Sequence, residues 1–167
     1  MSAHARTVLR VIRLDQSDAH IFDTPAAPGE IAVPGAFAFA DVEPDGLSGK
    51  ELIAFGQTFL GLESFGRATL VQVARAEAAE AEAALRALAR HFVERYGAPD
   101  IEAALPVARD ELAYAESLCD GAEPGQLLAV ERERGEDGVV ERIRAVKRPD
   151  AMDHGRVWTL VPDDSED

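Results

Sequence analysis

A strand-like segment followed directly by a long amphipathic stretch constrains this chain more than any other feature. Glu77 to Tyr96 repeats apolar side chains at helical spacing, and charged residues lie outside the repeat. The apolar stripe consists of Ala81, Ala84, Leu85, Leu88, Phe92 and Tyr96. Gly97 follows where a left-handed cap ends a helix, and Pro99 prevents continuation. The pattern predicts a helix of about five turns.

Two apolar runs before this helix predict a β-hairpin. The first run is Gly56 to Leu62, the second is Phe65 to Arg75, and the turn-like Glu63-Ser64 joins them. Most positions of the second run are apolar, as in a strand with both faces partly covered. We therefore expect the second strand to be central in a sheet and to lead into the long helix across one face of that sheet.

The N-terminal part predicts further elements. Thr7 to Leu14 is rich in β-branched and aliphatic residues but is interrupted by two arginines, which favours an edge strand. Ala36 to Ala40 alternates alanine with phenylalanine and predicts a strand with one filled face. A Ser-x-x-Glu capping box that begins at Ser48 predicts a short helix.

A second helix is predicted after the long one. Asp100 can cap a single turn, and Pro106 can occupy the first position of a helix that runs to about Cys119. The residues expected to be buried on this helix are Ala108, Leu112, Ala115 and Cys119. The Cys119 thiol is interpreted as a small buried group, and a lone cysteine fits a reducing compartment.

The clearest hairpin joins residues 126–134 to residues 139–148. With residues 136–137 as the loop, Arg132 faces Glu141, Glu131 faces Arg142 and Val130 faces Ile143. With residues 137–138 as the loop, Arg134 faces Glu141, Glu133 faces Arg142 and Glu131 faces Arg144. Both registers oppose unlike charges, and we prefer the first because it also pairs apolar residues. A last short strand, anchored by Trp158, is predicted at residues 156–161.

These elements predict one α+β domain over residues 1–161, with a mainly antiparallel sheet of about seven or eight strands packed with two principal helices. Residues 162–167 are expected to form a frayed acidic tail. A chain of 167 residues can bury such a core without disulfides.

The formal net charge of −14 is unevenly distributed. Acidic residues concentrate in residues 1–47, 97–125 and 149–167. Such a surface repels phosphate backbones and anionic lipids, so nucleic-acid and membrane-surface binding are disfavoured. The sequence shows neither a signal-peptide pattern nor an apolar run long enough to span a bilayer, so the expected location is the cytoplasm.

Candidate sites for cofactors and metals are weak. Gly56, Gly61 and Gly66 resemble a ligand loop, but a strand follows them where a phosphate loop needs a helix, so turns or bulges are the better interpretation. The potential metal ligands are His20, Asp23, Asp150, Asp153 and His154. Their spacing is not diagnostic, and solvated turns explain them more simply. No cofactor or metal is expected.

The acidic residues of the second helix support the first functional hypothesis. Asp110, Glu111 and Glu116 lie on this helix with Glu102 nearby, and they carry no catalytic pattern but form an acidic face. The hypothesis is a non-catalytic accessory or assembly protein that presents this face and the acidic tail to a protein partner with a basic surface.

Two other hypotheses belong to different classes. The second is a small-molecule binding protein or enzyme with a pocket beside the Gly56 to Gly66 hairpin, where Gln57, Thr58, Glu63 and Arg67 would converge. The third is a homodimer built by pairing exposed strand edges such as Thr7 to Leu14.

Two stretches carry a family resemblance. Phe59-Leu-Gly-Leu-Glu-Ser-Phe-Gly-Arg-Ala-Thr-Leu-Val-Gln-Val-Ala74 and Leu9-Arg-Val-Ile-Arg-Leu14 resemble small acidic uncharacterised proteins of proteobacteria. The resemblance implies no activity and no residue roles. It favours an accessory factor of a redox or cofactor-bearing enzyme by association alone.

Overall fold

A computed structural model describes residues 5–13, 22, 24–39 and 46–147. They form one antiparallel sheet of seven strands with three α-helices, which confirms the predicted α+β class. The strands are β1 (Arg6–Val11), β2 (Ile31–Val33), β3 (Phe59–Gly61), β4 (Arg67–Ala68), β5 (Val71–Ala76), β6 (Leu127–Gly135) and β7 (Gly138–Val146). The helices are α1 (Gly49–Gln57), α2 (Ala78–Arg95) and α3 (Ile101–Ser117), and a 3-10 helix covers Ala36–Phe39.

The strand order is β4-β3-β2-β1-β5-β6-β7, so β1 lies in the middle of the sheet. The prediction of an edge strand at Thr7 to Leu14 is therefore wrong: the strand that forms, β1, has a neighbour on each side and is not available for pairing with a second copy. The charge of β1 is accommodated by an ion pair, because the Arg10 guanidinium donates to both carboxylate oxygens of Glu80 at 2.6 and 2.7 Å. β4 and β7 are the outer strands of the described sheet.

The predicted hairpin of residues 56–62 and 65–75 forms only in part. Gly56 and Gln57 belong to α1, so the first strand shortens to β3, and the second run divides into β4 and β5. β4 pairs with β3, whereas β5 pairs with β1 and β6. The second run thus supplies a central strand that leads into the long helix, as predicted.

The two long helices pack against each other, and α3 also contacts β1 and β2. The buried residues of α2 are Ala81, Ala84, Leu85, Leu88, Ala89 and Phe92. Tyr96, which was predicted to share this stripe, is 46% exposed because α2 has already ended at Arg95. Gly97 has a positive φ of 79°, as expected for the cap.

One continuous helix replaces the predicted turn at Asp100 and separate helix at Pro106. The Asp100 carboxylate accepts a hydrogen bond from the backbone N–H of Ala103 at 2.8 Å and caps the whole of α3. Pro106 lies inside α3, where it removes one internal hydrogen bond without ending the helix. The predicted burial of Ala108, Leu112, Ala115 and Cys119 is confirmed.

The predicted strand at Ala36 to Ala40 is wrong, because Ala36–Phe39 forms a 3-10 helix. Its two rings pack on different helices: Phe37 lies 4.9 Å from the Phe92 ring of α2, and Phe39 lies 5.5 Å from the Phe55 ring of α1. One hydrophobic cluster joins the sheet to α2 and α3. Ala40, the strand predicted at residues 156–161 and the acidic tail lie outside the described residues.

Candidate functional site

The four predicted partner-binding carboxylates lie on α3 but differ in their surroundings. Glu102 and Asp110 are exposed. Glu111 is half-buried, and its pKa is raised above the usual 4.5 because burial disfavours its charge and because Glu141 and Asp110 lie nearby. Glu116 is paired with Arg6 of β1 at 2.7 Å. Two of the four are therefore fully available to a partner.

Exposed apolar residues lie beside these carboxylates. Val107 is 51% exposed and Tyr114 is 42% exposed. Ala103, Val107, Asp110 and Tyr114 follow each other at spacings of four, three and four residues, so they form one stripe along the helix. We call this stripe, together with Glu102, the outer face of α3.

A groove adjoins this face where α2 ends and α3 begins. It has a volume of about 370 Å³ and is lined mainly by apolar groups. Its lining includes Phe37, Phe92, Tyr96, Pro99, Ala103 and Val107. Asp110 follows Val107 by one turn, so its exposed carboxylate borders the apolar surface on the α3 side, whereas Glu102 is exposed in the first turn of the same helix. Sequence reasoning missed this groove, because its walls come from three separate segments.

Tyr114 links the outer face of α3 to a buried charge network. Its hydroxyl donates to Glu141 Oε1 at 3.0 Å, and Glu141 Oε2 accepts from Arg132 Nε at 2.6 Å. Burial and the Glu141 carboxylate raise the pKa of Tyr114 to about 12. The Tyr114 hydroxyl therefore remains protonated at neutral pH and orients Glu141.

Arg132 is the buried centre of this network, and its side chain is fully inaccessible to solvent. Besides Glu141, its guanidinium donates to the backbone carbonyl oxygens of Phe55 at 2.7 Å, of Thr58 at 3.0 Å and of Pro34. Phe55 lies in the last turn of α1, where a cation also complements the helix dipole. Arg132 joins β6 to α1 and to the segments that flank β2 and β3, so its role is structural.

The predicted ligand residues Gln57, Thr58, Glu63 and Arg67 do not converge on one pocket. Gln57 is exposed beside β6, and Glu63 is exposed in the loop that follows β3. Thr58 is buried, and its hydroxyl donates to the Ala54 carbonyl. Arg67 lines a separate depression near the start of α1. Only Arg67 combines partial burial with access to a cavity.

A buried carboxylate organises the loop that follows β3. Glu30 is 5% exposed and accepts hydrogen bonds from the backbone N–H groups of Ala27, Glu63 and Ser64 at 2.7–3.0 Å, and from the Ser64 hydroxyl at 2.7 Å. Burial alone would raise the pKa of Glu30, but the bonds from Ser64, Ala27 and Glu63 hold it below 4.5. Glu30 thus fixes this loop as an ionised carboxylate.

The glycine series has a packing explanation. A Cβ at Gly61 would lie 2.4 Å from Glu30 Oε1, and a Cβ at Gly66 would lie 2.5 Å from the Thr24 carbonyl oxygen. Gly56 lies inside α1, and outside that helix a Cβ there would approach only the Arg132 carbonyl oxygen, at 3.5 Å. Gly61 and Gly66 therefore permit close packing, in agreement with the interpretation as structural turns.

The remaining candidates from the sequence are the Cys119 thiol and a set of potential metal ligands. The pKa of Cys119 is raised to about 11 by burial and by Glu116 and Asp120, which agrees with an inert buried thiol. His20, Asp23, Asp150, Asp153 and His154 lie outside the described residues. Within the described part of the chain, no group of three or more His, Cys, Asp or Glu side chains could hold a metal ion. None of the described helices has the length and apolar character needed to cross a bilayer.

The fold and these sites define an α+β protein with a central antiparallel sheet and a helix whose exposed face carries carboxylates beside an apolar groove. The chain belongs to the DUF6505 family, a family of unknown function, which it matches over residues 6–158. No curated protein and no solved structure matches the chain. Family membership therefore agrees with the resemblance to uncharacterised proteins and adds no residue roles.

Proposed function

We propose that this protein is a non-catalytic accessory or assembly factor that presents the outer face of α3 to a protein partner with a basic surface. The observation that carries the proposal is the apolar groove at Tyr96 and Val107, bordered by the exposed carboxylate of Asp110, with Glu102 exposed in the first turn of the same helix. Exposed apolar surface with a polar rim is typical of recognition sites. The site is proposed to work in the cytoplasm of a bacterial cell.

The partner segment is inferred from the chemistry of the groove. An apolar side chain of the partner would fill the space between Phe37, Tyr96 and Val107, while lysine or arginine side chains would approach Glu102 and Asp110. Charge complementarity of this kind increases the association rate and orients the partner more than it adds affinity. The resemblance to small acidic proteobacterial proteins favours a redox or cofactor-bearing enzyme as the partner.

Native mass spectrometry of the protein purified gently from its own source tests the proposal. We expect a second polypeptide in the complex, and we expect added salt to weaken the complex because screening reduces the attraction between exposed charges. The variant Val107→Glu should abolish the complex, because it places a charge against the apolar part of the groove. The double variant Glu102→Lys/Asp110→Lys should weaken it strongly.

A matched control separates the site from the overall charge of the protein. Glu136→Lys/Asp137→Lys makes the same change in net charge in the exposed turn between β6 and β7. This control should retain the second polypeptide. Equal loss in both double variants, retention in all variants, or recovery of a homodimer alone would contradict the proposal.

A further inference from the structure

A second candidate site lies away from α3, in a depression of about 300 Å³ beside the first turn of α1. Its apolar walls include the rings of Phe22 and Phe65. The charged residues that line it are Lys50, Glu51 and Arg67. Two cations and one carboxylate therefore meet an aromatic surface in a cavity large enough for a small molecule.

Arg67 is the unusual member of this group. Its Nη1 atom is buried and has no hydrogen-bond partner in the described structure. Its guanidinium lies over the Phe39 ring, 4.6 Å from the centroid, and it has no ion pair with a described carboxylate. The pKa of Arg67 falls from 12.5 to about 10, chiefly because burial disfavours its charge, and Arg132 acts in the same direction.

The comparison with Arg132 shows what Arg67 lacks. Arg132 is fully buried with Glu141 and three backbone carbonyl oxygens around its guanidinium. A partly buried cation without such acceptors carries a desolvation cost that an anion at the same place would offset. The partly desolvated guanidinium of Arg67, which lines the depression, thus favours a ligand that brings a negative charge.

The aromatic wall is held in place before any ligand arrives. Phe65 has a φ of 57°, a left-handed conformation that is uncommon for a phenylalanine. The loop is fixed by the hydrogen bonds from Ser64 to Glu30, and the Phe65 ring stacks on His91 with centroids 4.0 Å apart. A rigid wall lowers the entropic cost of ligand binding.

We propose that Arg67 and Lys50 bind the carboxylate of a small organic acid whose apolar body lies against Phe22 and Phe65. The planar guanidinium offers parallel donors that match the two oxygens of a carboxylate. Glu51, on the same wall, repels a second negative charge. The site should therefore prefer a monocarboxylate to a dicarboxylate or a phosphate dianion.

Calorimetric titration with benzoate, the simplest aromatic monocarboxylate, tests the proposal. We expect saturable binding of benzoate, and at least tenfold weaker binding of the neutral isostere benzamide and of inorganic phosphate. Arg67→Met should weaken benzoate binding at least tenfold and Lys50→Met several-fold. Arg142→Met, at an exposed arginine of β7, is the matched control and should leave binding unchanged.

Several results would overturn the inference. The inference is wrong if benzoate shows no saturable binding or binds no more tightly than benzamide. It is also wrong if phosphate binds more tightly than benzoate, or if Arg67→Met keeps full affinity for benzoate. Should Arg67→Met fail to fold, Lys50→Met decides the question, because Lys50 is exposed and its loss leaves the core intact. The outer face of α3 takes no part in this test, so its result is independent of the proposed partner.

Discussion

Arg132 of β6 and Glu141 of β7 face each other across the hairpin, with Arg132 Nε 2.6 Å from Glu141 Oε2. The same guanidinium donates to carbonyl oxygens of Pro34, Phe55 and Thr58. One cross-strand pair therefore connects the hairpin to α1 and to the segments that flank β2 and β3. Loss of the Arg132–Glu141 pair would therefore affect parts of the chain that are distant in sequence.

Arg132→Met should lower the free energy of unfolding by about 3–5 kcal/mol, because it leaves Glu141 and three carbonyl oxygens without their donor. Urea denaturation followed by circular dichroism measures this change. The matched control Arg142→Met breaks an exposed pair with Glu133 in the same hairpin and should cost less than about 0.5 kcal/mol. Equal effects of the two substitutions would show that Arg132 does not organise the fold.

Glu30→Gln should lower the free energy of unfolding at pH 7 by about 2–3 kcal/mol, because an amide cannot accept all the bonds that the carboxylate accepts. The pKa of Glu30 is held below 4.5 in the folded protein. The carboxylate therefore stabilises the fold above about pH 4.5, and this contribution is lost as the pH falls through the folded-state pKa. The difference between wild type and variant should shrink in acid.

Urea denaturation at a series of pH values between 3 and 7 measures this dependence for Glu30. Glu63→Gln is the control, since Glu63 is exposed in the same loop and only its backbone N–H bonds Glu30. It should change stability little at any pH. A Glu30→Gln effect that stays constant down to pH 3 would contradict the assignment of an ionised carboxylate.

Gly66→Ala and Gly56→Ala should have opposite effects, although both glycines belong to the same series in the sequence. A Cβ at Gly66 would meet backbone atoms of Thr24, Pro25 and Ala26 at 2.5–2.8 Å, so the loop must move, at a cost of about 1–3 kcal/mol. At Gly56 the nearest atom is 3.5 Å away, and alanine in a helix gains up to about 1 kcal/mol over glycine. Thermal unfolding measures both effects: the melting temperature should fall in Gly66→Ala and rise in Gly56→Ala. Destabilisation of both would mean that α1 does not accept a side chain at residue 56.

The register of the β6–β7 hairpin was predictable because its sequence opposes charges and apolar residues in only one fully consistent way. The observed pairs, Arg132 with Glu141 and Val130 with Ile143, confirm the preferred alternative. The carbonyl partners of Arg132 were not predictable, since they lie 74 to 98 residues away in the chain. Backbone acceptors have no sequence signature.

Ala36–Phe39 shows why an alternating pattern can mislead. Its two phenylalanines have strand-like spacing, but they pack on α2 and α1 rather than on one face of a sheet. The backbone N–H of Ala38 bonds the Gly35 carbonyl at 3.1 Å, and this three-residue turn sends the rings apart. Where the rings pack is a property of the tertiary structure, so spacing alone could not decide between the two conformations.

The candidate sites, like the fold, were predictable from the sequence only in part. Exposure of Asp110 follows from the periodicity of the predicted helix, whereas Glu102 was expected near that helix and lies in its first turn. The pairing of Glu116 with Arg6 depends on α3 contacting β1, which the sequence does not specify. Arg67 was predicted as a ligand residue, but of its neighbours in the depression only Phe65 belongs to the expected hairpin, and the others come from α1 and from Phe22 and Thr24.

Glu111→Gln should increase stability at neutral pH and leave it unchanged in acid. Burial, Glu141 and Asp110 raise the pKa of Glu111 above 4.5 in the folded protein, so the folded state favours the protonated carboxyl. Below about pH 4.5 the Glu111 carboxyl is protonated in the unfolded chain as well, so its raised pKa no longer lowers the free energy of unfolding. As the pH rises through the folded-state pKa, ionisation destabilises the wild type but not the glutamine variant.

The expected gain of Glu111→Gln at pH 7 is below about 1 kcal/mol, because the side chain is only half-buried and water screens its charge. Parallel urea titrations of the variant and the wild type at pH 4 and pH 7 measure it. Glu102→Gln is the control: Glu102 is exposed in the first turn of α3, where the helix dipole favours an anion, so its loss should slightly lower stability at pH 7. A loss of stability at pH 7 in Glu111→Gln would mean that Glu111 has a cationic partner and is not repelled by Asp110 and Glu141.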